Sequence, residues 1–337
     1  MMAGRSYLLL VLVFLTACSH IGFDGSHVDV GVHLDISLDG QGPTDSSLDG
    51  SQVPLDMAPD SSVDVMVCTL PSPTLPAPPS APFGGVSLLT SLNSPASEDD
   101  PTLTADELEI YFESNRGGTP QLWRSVRRDP TLSWPAPELV AELSTTRANT
   151  PRLSRDGLTL YFAGVGPGGD EDIFVTTRAD RTSPWLDPVR DEALSSEFSD
   201  TGAVPFLEES GVEARGLVFY SLRPGGAGGG DLWITFRTTG VSCHLWSPVL
   251  PLVGLNTPVS EANPWIRNDG LVVVYQTGGD LFMVTRPDLT SAFVAPQALT
   301  ELNTAANDDD PWLNDALTKI YFSSPRTGNA ELYWASR

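Results

Sequence analysis

Acidic and amide side chains recur at fixed places ahead of prolines in this chain. They are Glu98, Asp99 and Asp100 before Pro101, Asn149 ahead of Pro151, Asp200, Glu261 and Asn263 before Pro264, and Asp308, Asp309 and Asp310 before Pro311. A second set, Arg116, Arg223 and Arg326, lies in glycine-rich segments between them. Converging carboxylates can hold a hard cation such as Ca2+, bind a ligand's polar groups, or work in pairs as acid and base on a glycosidic bond. For hydrolysis the candidate pairs are Asp99 or Asp100 with Glu261 or Asp309. Repetition argues the other way, because a residue type present once per unit more often solves a packing problem common to all units. Both readings stay open on the sequence. Histidine and serine chemistry is much less favoured: His244 is the one histidine after His33, no metal-spaced His cluster exists, and there is no G-x-S-x-G elbow.

The elements that must position these groups are legible from a repeat. Gln121 to Arg127 returns as Asp172 to Arg178, Asp231 to Arg237, Asp280 to Arg286 and Glu331 to Arg337, each time after an aromatic or β-branched run such as Ile110-Tyr111-Phe112. A β-meander with a period of about 50 residues is the spacing of a propeller blade. First strands begin at Asp100-Pro101, Thr150-Pro151, Val204-Pro205, Asn263-Pro264 and Asp310-Pro311, and turns follow at Asp106, Asp156, Asp269 and Asp315. The third unit departs from this with a longer loop, Glu208 to Arg215. The last unit ends at Arg337 without a fourth strand, while Phe83 to Asn93 looks like the missing one. The expected fold is therefore an all-β, five-bladed β-propeller over residues 83–337, closed by an N-terminal outer strand that completes the last blade.

The unit S-x-D-G-x-x-L-Y-F, then S-x-R-x-G-G, then D-L-W-x-x-x-R, clearest in Asp156 to Phe162, Ser221 to Gly226 and Asp231 to Arg237, resembles the TolB-type, WD40-like propeller repeat. The resemblance implies a secreted or lipid-anchored bacterial protein with a binding role, because the motif residues shape blades and define no active site. A six-bladed TolB-like ring is the alternative, and no sixth unit is found for it. Nothing corresponds to the separate N-terminal α/β domain of the family's prototype, so the prototype's own partners are not carried over.

On this plan the loops ahead of each first strand and the hairpins between second and third strands share one face. That face carries the ligand-binding candidates Asp99, Asp100, Arg116, Asn149, Arg223, Glu261, Asn263, Asp309, Asp310 and Arg326. The strand-end residues Arg127, Arg178, Arg237, Arg286 and Arg337 lie on the opposite face with the turn aspartates, and charge-assisted Asp–Arg pairing is expected there. Trp123, Trp233, Trp265, Trp312 and Trp334 read as inter-blade core. Trp265 and Trp312 stand apart because each directly follows a proline of the loops ahead of the first strands.

Residues 1–17 have the charged start, short apolar run and Leu-Thr-Ala ending of a secretory signal. Cys18 follows at the lipobox position, so acylation there is expected to anchor the protein, as an outer-membrane lipoprotein. From 18 to 82 the chain is rich in Asp, Ser and Pro without Lys or Arg, and reads as a disordered tether reaching about 40–50 Å. Cys68 and Cys243 are free or paired with each other. The chain's net charge is −24, and the propeller keeps 34 acidic against 18 basic residues, net −16. That excludes a nucleic-acid partner and leaves an envelope protein or a glycan.

Overall fold

The aromatic segments are the second strands of five antiparallel sheets, buried on both faces because each sheet is sandwiched between its neighbours around a ring. Ile110, Tyr111 and Phe112 are all fully buried, which is why these strands are continuous apolar runs instead of alternating ones. The computed structural model describes residues 75–144, 147–209, 214–237 and 246–337. Cys18 with its signal, the chain upstream of residue 75, Cys68, Cys243 and His244 lie outside the described residues. No helix among the described residues is long and apolar enough to cross a membrane.

The protein is a five-bladed β-propeller. After the outlying strand β1 (Gly84–Leu88), the first blade is β2 (Glu98–Leu103), β3 (Glu109–Ser114), β4 (Gln121–Val126) and β5 (Glu138–Leu139). The second is β6 (Asn149–Leu153), β7 (Thr159–Val165), β8 (Glu171–Thr177) and β9 (Val189–Arg190). The third is β10 (Asp200–Phe206), β11 (Gly216–Ser221), β12 (Asp231–Phe236) and β13 (Leu250–Pro251), and the fourth is β14 (Glu261–Ile266), β15 (Val272–Thr277), β16 (Asp280–Thr285) and β17 (Gln297–Ala298). The fifth joins β18 (Asp309–Leu313), β19 (Lys319–Ser324) and β20 (Glu331–Ser336) to β1. Gly84 pairs with Ser336 and Leu88 with Tyr333, so the N-terminal strand closes the ring as expected. Closure removes the open edge that β20 would otherwise present.

Every first strand carries a bulge at the same place. Asp100, Thr150, Gly202, Asn263 and Asp310 have φ of 54°, 43°, 62°, 49° and 49°, and the ladder register slips at each. A left-handed backbone suits Gly, Asn and Asp, which fill four of the five positions. In the third blade this register places Ala203 where the other blades have proline, so Pro205 lies two residues further into the strand than the Val204-Pro205 alignment supposed.

The strand-end arginines do not pair with the turn aspartates as expected. Nε of Arg127, Arg178, Arg237, Arg286 and Arg337 instead donates to the carbonyl of Glu107, Gly157, Ala214, Gly270 and Leu317, at the first hairpin of the same blade. Each guanidinium then stacks on an aromatic ring: Trp134, Trp185, Trp246, Phe293 and, for Arg337, Phe83 from the N-terminal end. The turn aspartates find other partners, Asp106 with Arg181, Asp315 with Arg155 and Asp269 with Arg267. A planar guanidinium can satisfy a carbonyl at its edge and an aromatic at its face at once, and a short turn aspartate cannot reach both.

Two of these arginines are left short. Arg127 and Arg178 donate to Tyr321 and Tyr111 of the preceding blade, but the corresponding positions facing Arg286 and Arg337 are Val218 and Val274. Their buried Nη2 atoms have no partner, and burial lowers the Arg286 pKa to about 10. Val274→Tyr, which copies the Tyr321–Trp312 pair of the fifth blade, is expected to give Arg337 its hydroxyl. A gain of about 1 kcal/mol, read as a Tm a few degrees higher, is the expected result. An unchanged or lower Tm would show that the valine packing outweighs the orphaned donor.

Candidate functional site at the channel mouth

The predicted site residues divide into those the fold consumes and those it leaves open. Glu98, Asp200, Glu261 and Asp308 are completely buried at the start of the first strands. Each accepts hydrogen bonds from a backbone N–H and a hydroxyl four residues earlier, at Ser94, Ser196, Thr257 and Thr304. Arg116, Arg223 and Arg326 pair with Glu98, Asp200 and Asp308, donate through Nε to Ser114, Ser221 and Ser324, and lie over Phe112, Phe219 and Phe322. One module built three times is a blade-top clasp, and its charges are spent within the fold. Glu261 has the same hydroxyl partner without an arginine, because the β15–β16 hairpin is the tight Gly278-Gly279 turn.

Asp99, Asn149, Asn263 and Asp309 are only partly buried and lie at or beside the bulges at the mouth of the central channel, while the bulge residues Asp100 and Asp310 are buried there. Asn263 donates to Asp309 at 2.5 Å, and Asn307 to the other Asp309 oxygen at 2.7 Å. Asn149 donates to Glu171 at 2.6 Å. Across the channel reaches Arg152, whose side chain is only 4% exposed; its Nη atoms meet Asp100 at 3.2 Å and Asp310 at 3.5 Å. One guanidinium thus joins carboxylates of the first and fifth blades.

Two residues here escaped the sequence reading, Arg152 and Glu113. Both interrupt the repeat. The position of Arg152 is Thr102, Val204, Trp265 or Trp312 in the other blades, and that of Glu113 is Ala163, Tyr220, Gln276 or Ser323. A blade-by-blade alignment in correct register was the signal that finds them. Glu113 stands opposite Asp99 on the β2–β3 ladder and is partly buried, and its carboxyl makes no hydrogen bond among the described residues.

Burial raises the Glu113 pKa to about 8, helped by the charges of Asp100, Asp99 and Glu171. Asp100 rises to about 6, chiefly through burial, with Arg152 opposing the shift. Burial and the neighbouring aspartates hold Asp310 well above its usual range, and burial raises Asp309 as well. Near neutral pH the mouth therefore mixes protonated with ionised carboxyl groups. As for Ca2+, no three acidic, His or Cys side chains among the described residues come together in a way that could hold a metal ion.

Below Arg152 the channel holds a cavity of about 40 Å3, walled by Thr102, Val204, Trp265 and Trp312. The two tryptophans set apart in the sequence belong to the buried inter-blade core, as expected, and also line this cavity. Glu208 sits at the base: it accepts the Arg155 N–H and exchanges two hydrogen bonds with Asn268, while Arg155 pairs with Asp315. Burial raises the pKa of Glu208 to about 8.

No family model matches the sequence, and no curated protein matches it. Solved structures do. An endo-arabinase from Bacteroides thetaiotaomicron superposes with a TM-score of 0.52 at 11% identity, over 75% of this chain and 98% of that one. A GH43 enzyme from Xanthomonas citri gives 0.52 at 12%, over 74% and 90%. TolB from Acinetobacter baumannii gives 0.47 at 15%, over 73% of this chain and 56% of TolB, so the chain spans little more than half of that protein. At these identities the likeness shows the fold alone.

The channel, mouth and base together, has a measurable signature. Glu113, Asp100 and Glu208 all have folded pKa values above the roughly 4 of an unfolded carboxylate, so their contribution to stability is full below pH 4 and is lost as pH rises to about 8. Tm is expected to fall between pH 5 and pH 9. Glu113→Gln should remove part of that fall, stabilising the protein at pH 8 by on the order of 2 kcal/mol, with the Glu208 share remaining. Parallel Tm–pH curves for parent and variant would show that Glu113 is ionised throughout.

Proposed function

We propose that this chain is a non-catalytic binding module of the cell envelope, anchored through a lipid on Cys18, which takes a glycan at its channel mouth. The observation that carries this reading is which polar groups the fold leaves over. Once the blade-top clasps have used Glu98, Asp200, Asp308 and their arginines, Asp99, Glu113, Glu171 and Asp309 remain around one opening with Asn149 and Asn263. A set of carboxylate acceptors, carboxamide donors and a protonated carboxyl suits the paired donor and acceptor demands of sugar hydroxyls. The test is retention of the soluble chain from Ser19 onward on an array of envelope and plant glycans. Glu113→Gln and Asp309→Asn should each weaken retention at least tenfold; equal retention by both variants would overturn the reading. Cys18→Ser should move the full-length protein from the membrane to the soluble fraction.

Glu113 also favours a second reading, glycoside hydrolysis. A carboxyl that keeps its proton near neutral pH can protonate a glycosidic oxygen, while a second carboxyl group beside it, Asp99 or Asp309, would serve as the base that activates water. Cleaved products that disappear with Glu113→Gln would establish it, and retention without products supports the binding module.

A further inference from the structure

The stretch leading into β1 does not leave the propeller at Phe83. Residues 75–82 continue across the face that carries the first hairpins of the blades, opposite the channel mouth. Nη1 of Arg337 donates to the Ala81 carbonyl at 3.3 Å, and Nη1 of Arg267 donates to the Pro76 carbonyl at 2.8 Å. Phe83 itself is buried under Arg337, and its N–H donates to Glu301. The stretch therefore runs from the fifth blade to the fourth.

Arg267 is out of pattern. The same position holds Thr104, Ser154 and Asn314 in the first, second and fifth blades, where the short side chain serves its own turn. In the fourth blade a long cation replaces it, pairs with Asp269 and is 3% exposed, with Asp269 at 1%. Burying both charges is costly unless every donor is satisfied, and the Pro76 carbonyl accepts one of them. The next residue, Asn268, holds Glu208 in the channel base. Strap and channel plug are thus neighbours on one turn.

We infer that 75–82 is a strap for which the turn face is built, so that the chain always enters the propeller on the face opposite the mouth. Proline at 76, 78, 79 and 82 favours this, because a chain with restricted φ loses little entropy on docking and needs no ladder donors. Resting on the binding reading above, the strap turns the mouth toward a glycan partner and away from whatever holds the upstream chain. The strap itself stands without that reading.

Electron paramagnetic resonance tests it on the chain with its three cysteines changed to serine. A spin label at Ala77→Cys should be immobilised, and Arg267→Thr, which installs the residue the first blade uses, should free it. Labels at Ala77→Cys and at Thr119→Cys, on the exposed β3–β4 hairpin, should give a narrow distance distribution, a measurement that does not depend on the variant folding. A mobile label in the parent chain, or a broad distribution, would overturn the strap. Loss of glycan retention with an immobilised label would instead count against the binding reading alone.

Discussion

Replacing Arg152 by methionine is expected to cost about 3–5 kcal/mol of stability, the largest effect of any single substitution at the mouth. Arg152, Asp100 and Asp310 are 4%, 6% and 4% exposed, so removing the cation leaves two carboxyl groups in a place that water reaches poorly. They can respond only by taking up protons, and both already lie above the usual carboxylate range. Urea melts of the variant should therefore show a loss that grows from pH 5 to pH 8. Adding Asp100→Asn and Asp310→Asn should recover most of it, because amides carry no charge to desolvate. Arg152→Lys should recover little, since a single ammonium cannot present two Nη atoms to two blades. A loss below about 1 kcal/mol for Arg152→Met would show that water, not the guanidinium, neutralises the pair.

Removing β1 is expected to be worse still. A chain starting at Ser94 loses the five-residue partner of β20, the buried Phe83 with its stack on Arg337, and Leu89 and Leu92 of the core shared by the fourth, fifth and first blades. The exposed edge of β20 would then carry Tyr333 and Trp334 beside unpaired backbone groups, a template for strand addition. Soluble yield should collapse, with the remainder aggregated by light scattering. Supplying Phe83 to Asn93 as a separate peptide should restore part of the soluble yield if the missing strand is the cause. A monomeric, cooperatively melting truncated protein would contradict closure by this strand.

Much of the architecture was legible because it repeats. Five copies of a strand ending in arginine gave the blade count, and the incomplete last copy with Phe83 to Asn93 gave the closure. The clasp residues were legible as a pattern and ambiguous as a site. Glu261 and Asp309 look alike in sequence, each an acid just ahead of the same bulge, yet one is sealed under Thr257 and the other opens on the channel. A one-residue step along a strand reverses the face, and a bulge reverses it again, so small register uncertainty moves a carboxylate from core to mouth. The same uncertainty misplaced Pro205. It also hid the arginine contacts, since a carbonyl acceptor leaves no trace in the side-chain sequence.

The sequence by itself determined the class of fold, the number of blades and the way the ring closes, because these depend on local periodicity and on where repeats start and stop. Only the tertiary structure decided which charges are spent and which remain, because that depends on five bulges converging on one axis. Arg152 meets an aspartate 52 residues before it and another 158 after it, a meeting that no local pattern encodes.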